Sequence, residues 1–214
     1  MKLLEEFLKS ELKLDPEKYS EKFKLYGKLL LEKNESINLV SRKTVSIENH
    51  ILNSVFFLKR YIIKKDCSLI DLGTGGGFPG IPVKILFPDI FITLLDSIKK
   101  KTTALNEIVT DMNLANTEVI CGRAEELSGT GFYRNKFDIV ISKAVAPVLN
   151  LFNWGKDFLK PGGEILCIKG GDISKEISEL RNLKKPPESE VINYEFNEKY
   201  KIEDKKLIVI KNVF

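Results

Sequence analysis

The sequence predicts an α/β protein in which a group of N-terminal helices precedes a mostly parallel sheet of seven strands. Three observations support this prediction. From Ser68 onward, short apolar segments alternate with amphipathic ones, which is typical of a parallel sheet covered by helices on both faces. A glycine-rich turn follows the first apolar segment. The last two apolar segments have no helical segment between them, so we expect a Rossmann-like sheet that ends in an antiparallel hairpin.

Length and charge divide the chain into two parts. Its 214 residues suit one hydrophobic core with an appendage. We place a helical extension at residues 1–65 and a Rossmann-like domain at residues 66–214. The extension contains 14 Lys and Arg against 9 Asp and Glu, whereas the remainder contains 20 against 21. A basic extension predicts a polyanionic partner, and a solvated helical surface is the alternative explanation.

The extension is predicted to contain three helices, over residues 2–13, 16–33 and about 44–63. Asp15 and Pro16 form a start signal for the second helix, because Asp can cap it and proline gives up an amide hydrogen that has no partner there. Apolar residues at helical spacing mark the buried faces of the second and third helices. They are Tyr19, Phe23, Tyr26 and Leu30, followed by Ile47, Ile51, Val55, Leu58 and Ile62.

The second part of the chain alternates strands with helices. Strands are predicted at about 68–72, 90–95, 117–120, 137–142, 163–168, 189–195 and 206–212. Helices are predicted at about 80–87, 97–113, 147–159 and 173–182. A polar link over residues 197–205 suits a hairpin between the last two strands.

Composition disfavours several classes of protein. No apolar run approaches the ~18–20 residues of a membrane span, and the start of the chain lacks the apolar centre of a signal peptide. Cys67, Cys121 and Cys167 form no CxxC pair, so we expect three core thiols in a reduced, cytoplasmic protein. The single histidine, His50, disfavours His-rich metal sites and a Ser/His/Asp triad, and no metal site is predicted.

The most informative segment is the glycine-rich turn within residues 69–82. An apolar strand ends at Leu72, glycines fill the turn, and a helix begins near Pro79. Such a turn lets the backbone approach a ligand closely and aims helix N-terminal amides at an anionic group. Asp96 ends the next strand, where a carboxylate can accept hydrogen bonds from ribose hydroxyls. Together with Gly75, these residues predict a nucleoside-containing cofactor across the carboxyl ends of the first two strands.

Two cofactors fit this loop to different degrees. Gly75, Gly77 and Gly80 satisfy the GxGxxG pattern of dinucleotide-binding proteins, and a nicotinamide-dependent reductase is therefore an alternative. However, Asp71 lies within the strand and the first tight turn falls at Gly73. That register resembles the opening motif of S-adenosylmethionine-dependent methyltransferases, in which the glycine loop lies along the methionine part of the cofactor. We expect S-adenosylmethionine.

Several separated blocks of the sequence resemble the RsmG (GidB) family, whose members methylate N7 of a guanine in 16S ribosomal RNA. The blocks are residues 38–41, 50–54, 71–82, 94–101, 122–126, 142–146 and 169–170. The segment from Phe78 to Pro82 and the block that begins at His50 are the specific ones. The resemblance implies a class I methyltransferase fold, with 16S ribosomal RNA or the small ribosomal subunit as partner. Composition predicts no membrane association, and a monomer is the default expectation.

The resemblance further implies that Gly73, Phe78, Ala124, Glu125 and Lys143 contact the cofactor. Gly73 allows close backbone approach, and Phe78 can cover an apolar part of the ligand or simply cap a helix. Glu125 can reach an adenine edge or complement the dipole of a helix. Lys143 stands where the family usually has Arg, so charge recognition is expected to survive with a less rigid geometry.

Four residues are predicted to contact RNA: His50, Lys100, Lys101 and Lys169. Lys100 and Lys101 lie in the first turn of a predicted helix, where the dipole disfavours cations; nearby phosphates would offset that cost. Simply exposed lysines are the alternative. His50 shares a helix face with Asn53, Ser54, Phe57 and Tyr61. This face can line the substrate entrance, or His50 can be a buried side chain that bridges the extension to the sheet.

The residues suit methylation of a ring nitrogen. Guanine N7 has an in-plane lone pair and no proton, so no general base is required and positioning supplies most of the acceleration. His50 and Lys143 are therefore positioning candidates, and no catalytic base is predicted. The (Asp/Asn)-Pro-Pro-(Tyr/Phe) motif of exocyclic-amine enzymes is absent after the fourth strand. A non-catalytic RNA-binding protein on the same fold is a further alternative, against which the intact glycine loop and Asp96 argue.

Overall fold

The computed structural model describes residues 1–40, 46–194 and 197–211. Its strands are β1 (Ser68–Leu72), β2 (Phe91–Asp96), β3 (Thr117–Cys121), β4 (Phe137–Lys143), β5 (Leu159–Gly170), β6 (Glu188–Asn193) and β7 (Lys205–Lys211). Its helices are α1 (Lys2–Ser10), α2 (Glu17–Asn34), α3 (Ile47–Val55), α4 (Gly80–Leu86), α5 (Lys99–Asp111), α6 (Ala124–Leu127), α7 (Val148–Gly155) and α8 (Ser174–Arg181). The predicted start of the third helix at residues 44–45 and the predicted strand ends at residues 195 and 212 lie outside the described residues.

The strands form one sheet in the order β3-β2-β1-β4-β5-β7-β6. The first five strands pair in parallel. β7 is antiparallel to both β5 and β6, so it lies between them and β6 forms the edge. The predicted sheet of seven strands with an antiparallel terminal hairpin is therefore confirmed. The carboxyl ends of β1, β2 and β3 lie side by side at one edge, which is where parallel sheets bind ligands.

The N-terminal helices pack on one face of the sheet and share its core. Phe7 of α1, Phe23 of α2 and Ile51 of α3 are fully buried in the same apolar cluster as Leu69 of β1 and Leu94 of β2. Burial of such side chains contributes ~1.5–3 kcal/mol each. The extension is therefore integral to the folded unit, and a boundary at residue 65 stays a prediction.

The opposite face of the sheet is covered by α7 and α8. Val148, Leu151 and Leu180 from these helices pack against Ile70 and Val140 in a second apolar cluster. Helices therefore cover both faces, as the alternating segments predict. No helix among the described residues is long and apolar enough to cross a bilayer.

The third predicted helix is wrong in its length. α3 begins after Ser46, whose hydroxyl accepts a hydrogen bond from the Asn49 amide at 3.3 Å, but it ends at Val55. A 3₁₀ turn over Phe56–Lys59 follows, in which Phe56 and Phe57 are both buried. The chain then leaves the helix axis, so Ile62 is 87% exposed.

Other boundaries also differ from the predictions. α1 ends at Ser10, and Lys13, three residues later, adopts a left-handed backbone conformation with φ of 58°. The predicted helix over 147–159 ends at Gly155, with a short 3₁₀ turn before β5 begins at Leu159. The short helix α6 is a structural element that the sequence did not predict.

The three cysteines occupy two kinds of environment. All are free thiols, and Cys67 and Cys167 are buried, which confirms core positions for these two. Burial raises the pKa of Cys67 to about 11 and that of Cys167 to about 12, so neither thiol is a reactive nucleophile at neutral pH. The predicted core position of Cys121 is wrong, because this residue ends β3 next to the open edge of the sheet and is exposed.

Candidate cofactor and substrate site

The glycine loop between β1 and α4 is held in place by two neighbouring elements. The amides of Gly73 and Thr74 donate to the Leu95 carbonyl of β2 at 2.8 and 3.0 Å. The Asp71 carboxylate accepts from the Thr74 hydroxyl at 2.7 Å and from the Gly80 amide at 2.9 Å. One buried carboxylate therefore connects the start of the loop to the start of α4.

The charge of Asp71 depends on its surroundings. Burial raises the pKa of Asp71 to about 7, against the opposing effects of the hydrogen bonds from Thr74 and Gly80 and of the Lys143 ammonium. Its Oδ1 atom is buried without a hydrogen-bond partner among the residues described. Asp71 is thus an anchor of the loop whose ionisation is coupled to a lysine on the neighbouring strand.

Backbone conformation explains why glycine occupies the first turn. Gly73 and Gly75 have φ of 70° and 57°, a region that favours residues without a Cβ atom. A Cβ atom at Gly73 would lie 2.7 Å from both methyl carbons of Val145. Ala144, with φ of 56°, turns the chain after β4 and brings Val145 to this position. The loop and Val145 therefore form one continuous wall.

Asp96 stands at the carboxyl end of β2, opposite the glycine loop. Its Oδ2 atom accepts from the Gly75 amide at 3.0 Å, and its Oδ1 atom accepts from the Ile98 amide at 2.9 Å. The residue is 8% exposed. Because each carboxylate oxygen has two lone pairs, both oxygens keep the capacity to accept a hydroxyl proton from a ligand.

A cleft of about 320 Å³ opens at this edge of the sheet, and we call it the cofactor cleft. It is lined by Leu72, Gly73, Gly75, Leu95, Asp96, Ser97, Ile98, Lys101, Gly122, Arg123, Ala124, Glu125, Val145 and Trp154. Five predicted cofactor residues, Gly73, Gly75, Asp96, Ala124 and Glu125, are therefore brought together. The other two, Phe78 and Lys143, lie outside this lining, beyond the glycine loop.

Phe78 and Lys143 belong to a second group of side chains, which with His50 we call the His50 cluster. The Lys143 Nζ atom lies 3.4 Å from the His50 Nε2 atom and 5.4 Å from the centre of the Phe78 ring. The His50 and Phe78 rings meet edge to face, with their centres 4.5 Å apart. The cluster joins α3 of the extension to the glycine loop and to the end of β4.

Burial controls the charges in this cluster. It lowers the pKa of Lys143 to about 8, with Asp71 opposing this shift and Lys205 adding to it. It also lowers the pKa of His50 to about 4, helped by the nearby Lys143 charge. At pH 7 the imidazole is therefore neutral and the ammonium is charged.

The face of the third helix that contains His50 was predicted to line a substrate entrance. This prediction is wrong for most of the residues on that face. Ser54 and Phe57 are fully buried. Tyr61 donates to Glu164 at the opposite end of the sheet. Asn53 donates to the Asn49 carbonyl at 2.8 Å.

The N-terminal extension also contacts the glycine loop and supports it. The Tyr26 hydroxyl of α2 donates to the Gly76 carbonyl at 2.8 Å, and the Tyr26 ring packs against Phe78 with the ring centres 5.4 Å apart. The Asn34 side chain accepts from the amides of Leu39 and Val40, which places this turn beside the loop. The loop is therefore clamped between the sheet and the extension.

The lysines predicted to contact RNA have different surroundings. Lys100 is exposed at the start of α5, and Lys101 is half-buried in the lining of the cofactor cleft. Lys169 already has partners, because its Nζ atom donates to the Ala146 carbonyl and pairs with Glu176, each at 2.9 Å. Lys169 thus supports the chain segment after β4, and an RNA contact by Lys169 stays a prediction.

Sequence reasoning missed several lining residues. Ile98 and Val145, 41% and 43% exposed, are the apolar walls on either side of the cleft mouth. Trp154 reaches it from α7 and Arg123 from the end of β3. The position of Ile98 could have been found from the sequence. An Asp often forms a turn by accepting from the amide two residues later, and this turn keeps Ile98 next to Asp96. Val145 and Trp154 arrive from distant segments and have no such signal.

The residues of the cleft fit S-adenosylmethionine. The volume lies within the ~300–1,000 Å³ typical of small-molecule sites. Asp96 offers free lone pairs at the place for a ribose, Ile98 and Val145 offer apolar faces for a purine, and the glycines leave room along the loop. Lys143 provides a partly desolvated cation beyond Gly73, suited to a carboxylate.

The fold and the cleft define the class: a Rossmann-like, class I S-adenosylmethionine-dependent methyltransferase. The same fold is found in a precorrin-6y C5,15-methyltransferase from Geobacter metallireducens, with a TM-score of 0.57 and 15% identity over 80% of this chain and 91% of that one. It is also found in TYW2 of M. jannaschii in complex with AdoMet, with a TM-score of 0.57 and 16% identity over 79% and 77%.

The family model of GidB, rRNA small subunit methyltransferase G, matches residues 19–207, and the chain belongs to this family. Relatives named ribosomal RNA small subunit methyltransferase G include that of Lachnoclostridium phytofermentans, 40% identical over 74% of this chain and 66% of the relative. Another is that of Caldanaerobacter subterraneus, 41% identical over 76% and 68%. The resemblance seen in the sequence blocks is confirmed, and the match also covers most of the extension, all of β6 and the first three residues of β7.

Proposed function

We propose that this protein transfers the methyl group of S-adenosylmethionine to N7 of a guanine in 16S ribosomal RNA. The observation that carries the proposal is the cofactor cleft, in which the glycine loop and Asp96 face each other across the ends of β1 and β2. Family membership supplies the substrate class, because the relatives are named for methylation of small-subunit ribosomal RNA.

In this proposal the two groups of side chains divide the cofactor between them. Asp96 receives the ribose hydroxyls, while Ala124 and Glu125 contact the adenine edge. Gly73 and Gly75 lie along the chain that leads to the sulfur. Phe78 and Lys143 lie beyond the loop, where Lys143 holds the carboxylate of the methionine part by charge.

In this reaction the main contribution of the protein is to position the guanine relative to the methyl donor. S-adenosylmethionine, when bound, supplies a methyl group on a positively charged sulfur. Guanine N7 has a lone pair and loses no proton, so the protein's part is to orient the base and exclude water. The pKa of His50 is lowered to about 4, so its imidazole is a weak base, which agrees with a reaction that removes no proton.

The RNA side of the proposal rests on the surface around the cleft mouth. Lys100 is exposed and Lys101 is half-buried at the start of α5, and Arg123 is exposed across the cleft from them. These cations can contact backbone phosphates, which dominate nucleic-acid affinity. The protein then acts in the cytoplasm as a monomer, on 16S ribosomal RNA alone or within an assembling small subunit.

Two measurements test the proposal. Calorimetric titration should show binding of S-adenosylmethionine and none of NAD. Ribosomal RNA or small subunits from a strain that lacks the protein should then accept a labelled methyl group at one guanine, which is located by identifying the labelled nucleotide. Binding of NAD alone would favour a reductase, and cofactor binding without methylation of either substrate would favour a non-catalytic RNA-binding protein.

A further inference from the structure

His50 is the side chain that connects the extension to the charged end of β4. It lies on α3 and its Nε2 atom is 3.4 Å from the Lys143 Nζ atom. Phe78 fixes the imidazole from the side by an edge-to-face contact. Phe78 itself is 5% exposed and is packed against Tyr26 of α2. The imidazole therefore has little freedom to move away from the lysine.

Lys143 needs such a partner because the protein withdraws it from water. The side chain is half-buried at the end of β4, and among the residues described no ion pair joins it to a carboxylate. An ammonium group has only donors, so the facing ring nitrogen must be the acceptor. A long and flexible lysine side chain also loses rotamer freedom when it is held, which an acceptor must offset.

We propose that His50 is a positioning residue: its neutral imidazole accepts a hydrogen bond from Lys143 through Nε2 and holds the ammonium beside the Phe78 ring. In this arrangement the proton of the imidazole is on Nδ1. The consequence for cofactor binding rests on the proposed function, whereas the pairing itself does not. The arrangement lends a mobile lysine some of the fixed geometry that an arginine fork has by itself.

Nearby charged groups act on both members of the pair. Asp71 of β1 and Lys205 of β7 shift the pKa of Lys143, and Lys143 in turn shifts the pKa of His50. Glu48, on α3 itself, accepts a hydrogen bond from the Leu4 amide. Burial and, to a smaller extent, the Lys143 charge oppose protonation of His50, so the imidazole stays neutral. Protonation of His50 would remove the acceptor and place two cations 3.4 Å apart.

The single histidine makes a direct test possible in the unaltered protein. A long-range proton–nitrogen NMR spectrum of ¹⁵N-labelled protein contains one imidazole. We expect a neutral ring protonated on Nδ1 at pH 7, and an Nε2 signal that shifts as the pH rises through about 8, where Lys143 loses its proton. A ring protonated on Nε2, or an imidazolium at pH 6–7, would overturn the proposal. The Lys143→Met variant should abolish the shift near pH 8.

A matched set of variants then measures the effect on the cofactor. His50→Gln places an amide oxygen near the position of Nε2, whereas His50→Asn carries the same group on a shorter side chain. We expect S-adenosylmethionine affinity to fall roughly tenfold in His50→Asn and to stay within about threefold of the original in His50→Gln. Equal losses in two equally well folded variants would count against a positioning role.

The two measurements separate the two ideas. If the unaltered protein does not bind S-adenosylmethionine, the proposed function fails whatever the NMR spectrum shows. If it binds the cofactor but the imidazole is protonated on Nε2, the proposed function stands and the inference about His50 fails.

Discussion

The cofactor cleft and the His50 cluster lie on adjacent strands, yet they are built in different ways. The cleft is formed by backbone amides, glycines and two carboxylates, since Asp96 lines it and Asp71 anchors its loop. Hydrogen bonds join these groups across elements that follow each other in the chain. The cluster consists of three side chains, and its polar contact joins residues 93 positions apart. The cleft is therefore held by many backbone contacts around a buried anchor, Asp71, whose pKa is about 7, whereas the cluster depends on three side chains and can be adjusted by a single substitution.

The largest effect on cofactor affinity is expected from a substitution in the glycine loop, where Gly73 contacts Val145. Gly73→Val should lower S-adenosylmethionine affinity by about a hundredfold or more, because the new side chain needs the space of Val145 and the loop must move. Calorimetry measures the loss. The matched control is Gly162→Val, which has φ of 77° and open space around it. The control should lose ~1–2 kcal/mol of stability through backbone strain and keep its affinity.

The next effect concerns the carboxylate that faces the loop. Asp96→Asn replaces one of two acceptor oxygens by an amide group, which cannot accept from a backbone amide. Cofactor affinity should fall by about tenfold to a hundredfold, the value of a hydrogen bond to a charged group. Asp89→Asn is the control, because Asp89 is exposed and far from the cleft. An Asp96→Asn protein with unaltered affinity would contradict the assigned role.

A smaller effect should distinguish the cluster from the cleft by its pH dependence. The pKa of Lys143 is lowered to about 8, so the ammonium is present below pH 8 and is lost above it. The dissociation constant for S-adenosylmethionine should rise by about tenfold between pH 7 and pH 9. Lys143→Arg should remove this rise, since arginine stays charged. A flat profile in the unaltered protein would show that the charge is not used.

Folding stability should also depend on the Lys143 ammonium, but it should rise with pH where cofactor affinity falls. Between pH 8 and the ordinary lysine pKa of 10.5, the unfolded chain holds more protons at Lys143 than the folded one. The contribution of this group to folding stability therefore increases with pH over that range. The difference in denaturation between the unaltered protein and Lys143→Met measures it, and a difference that is constant with pH would refute the shift.

The smallest effect is expected at the exposed rim. Lys100→Gln should leave cofactor affinity unchanged and reduce the slope of log affinity for RNA against log salt by about one. Lys65→Gln, an exposed lysine beside the amino end of β1, is the control. If both variants change RNA binding equally, the start of α5 is not the RNA surface.

The same contrast explains how much the sequence could predict. The β1–loop–α4 segment, Asp96 and the terminal hairpin were predictable because glycine positions, apolar runs and turn residues act locally. The contact between His50 and Lys143 was not, since it depends on how α3 packs against β4. The ion pair of Lys169 with Glu176 was not predictable from local sequence either, since it joins the end of β5 to α8. The end of α3 was predicted too late because the apolar spacing continues to Leu58 and Ile62, whereas the backbone changes to a 3₁₀ turn at Phe56.

The position of β7 has a consequence for synthesis of the protein. β6 pairs with β7 alone among the described strands, and β7 also pairs with β5. A nascent chain can assemble the five parallel strands first, but β6 finds no neighbour until β7 has emerged from the ribosome. This edge of the sheet therefore closes only after β7 has been synthesised.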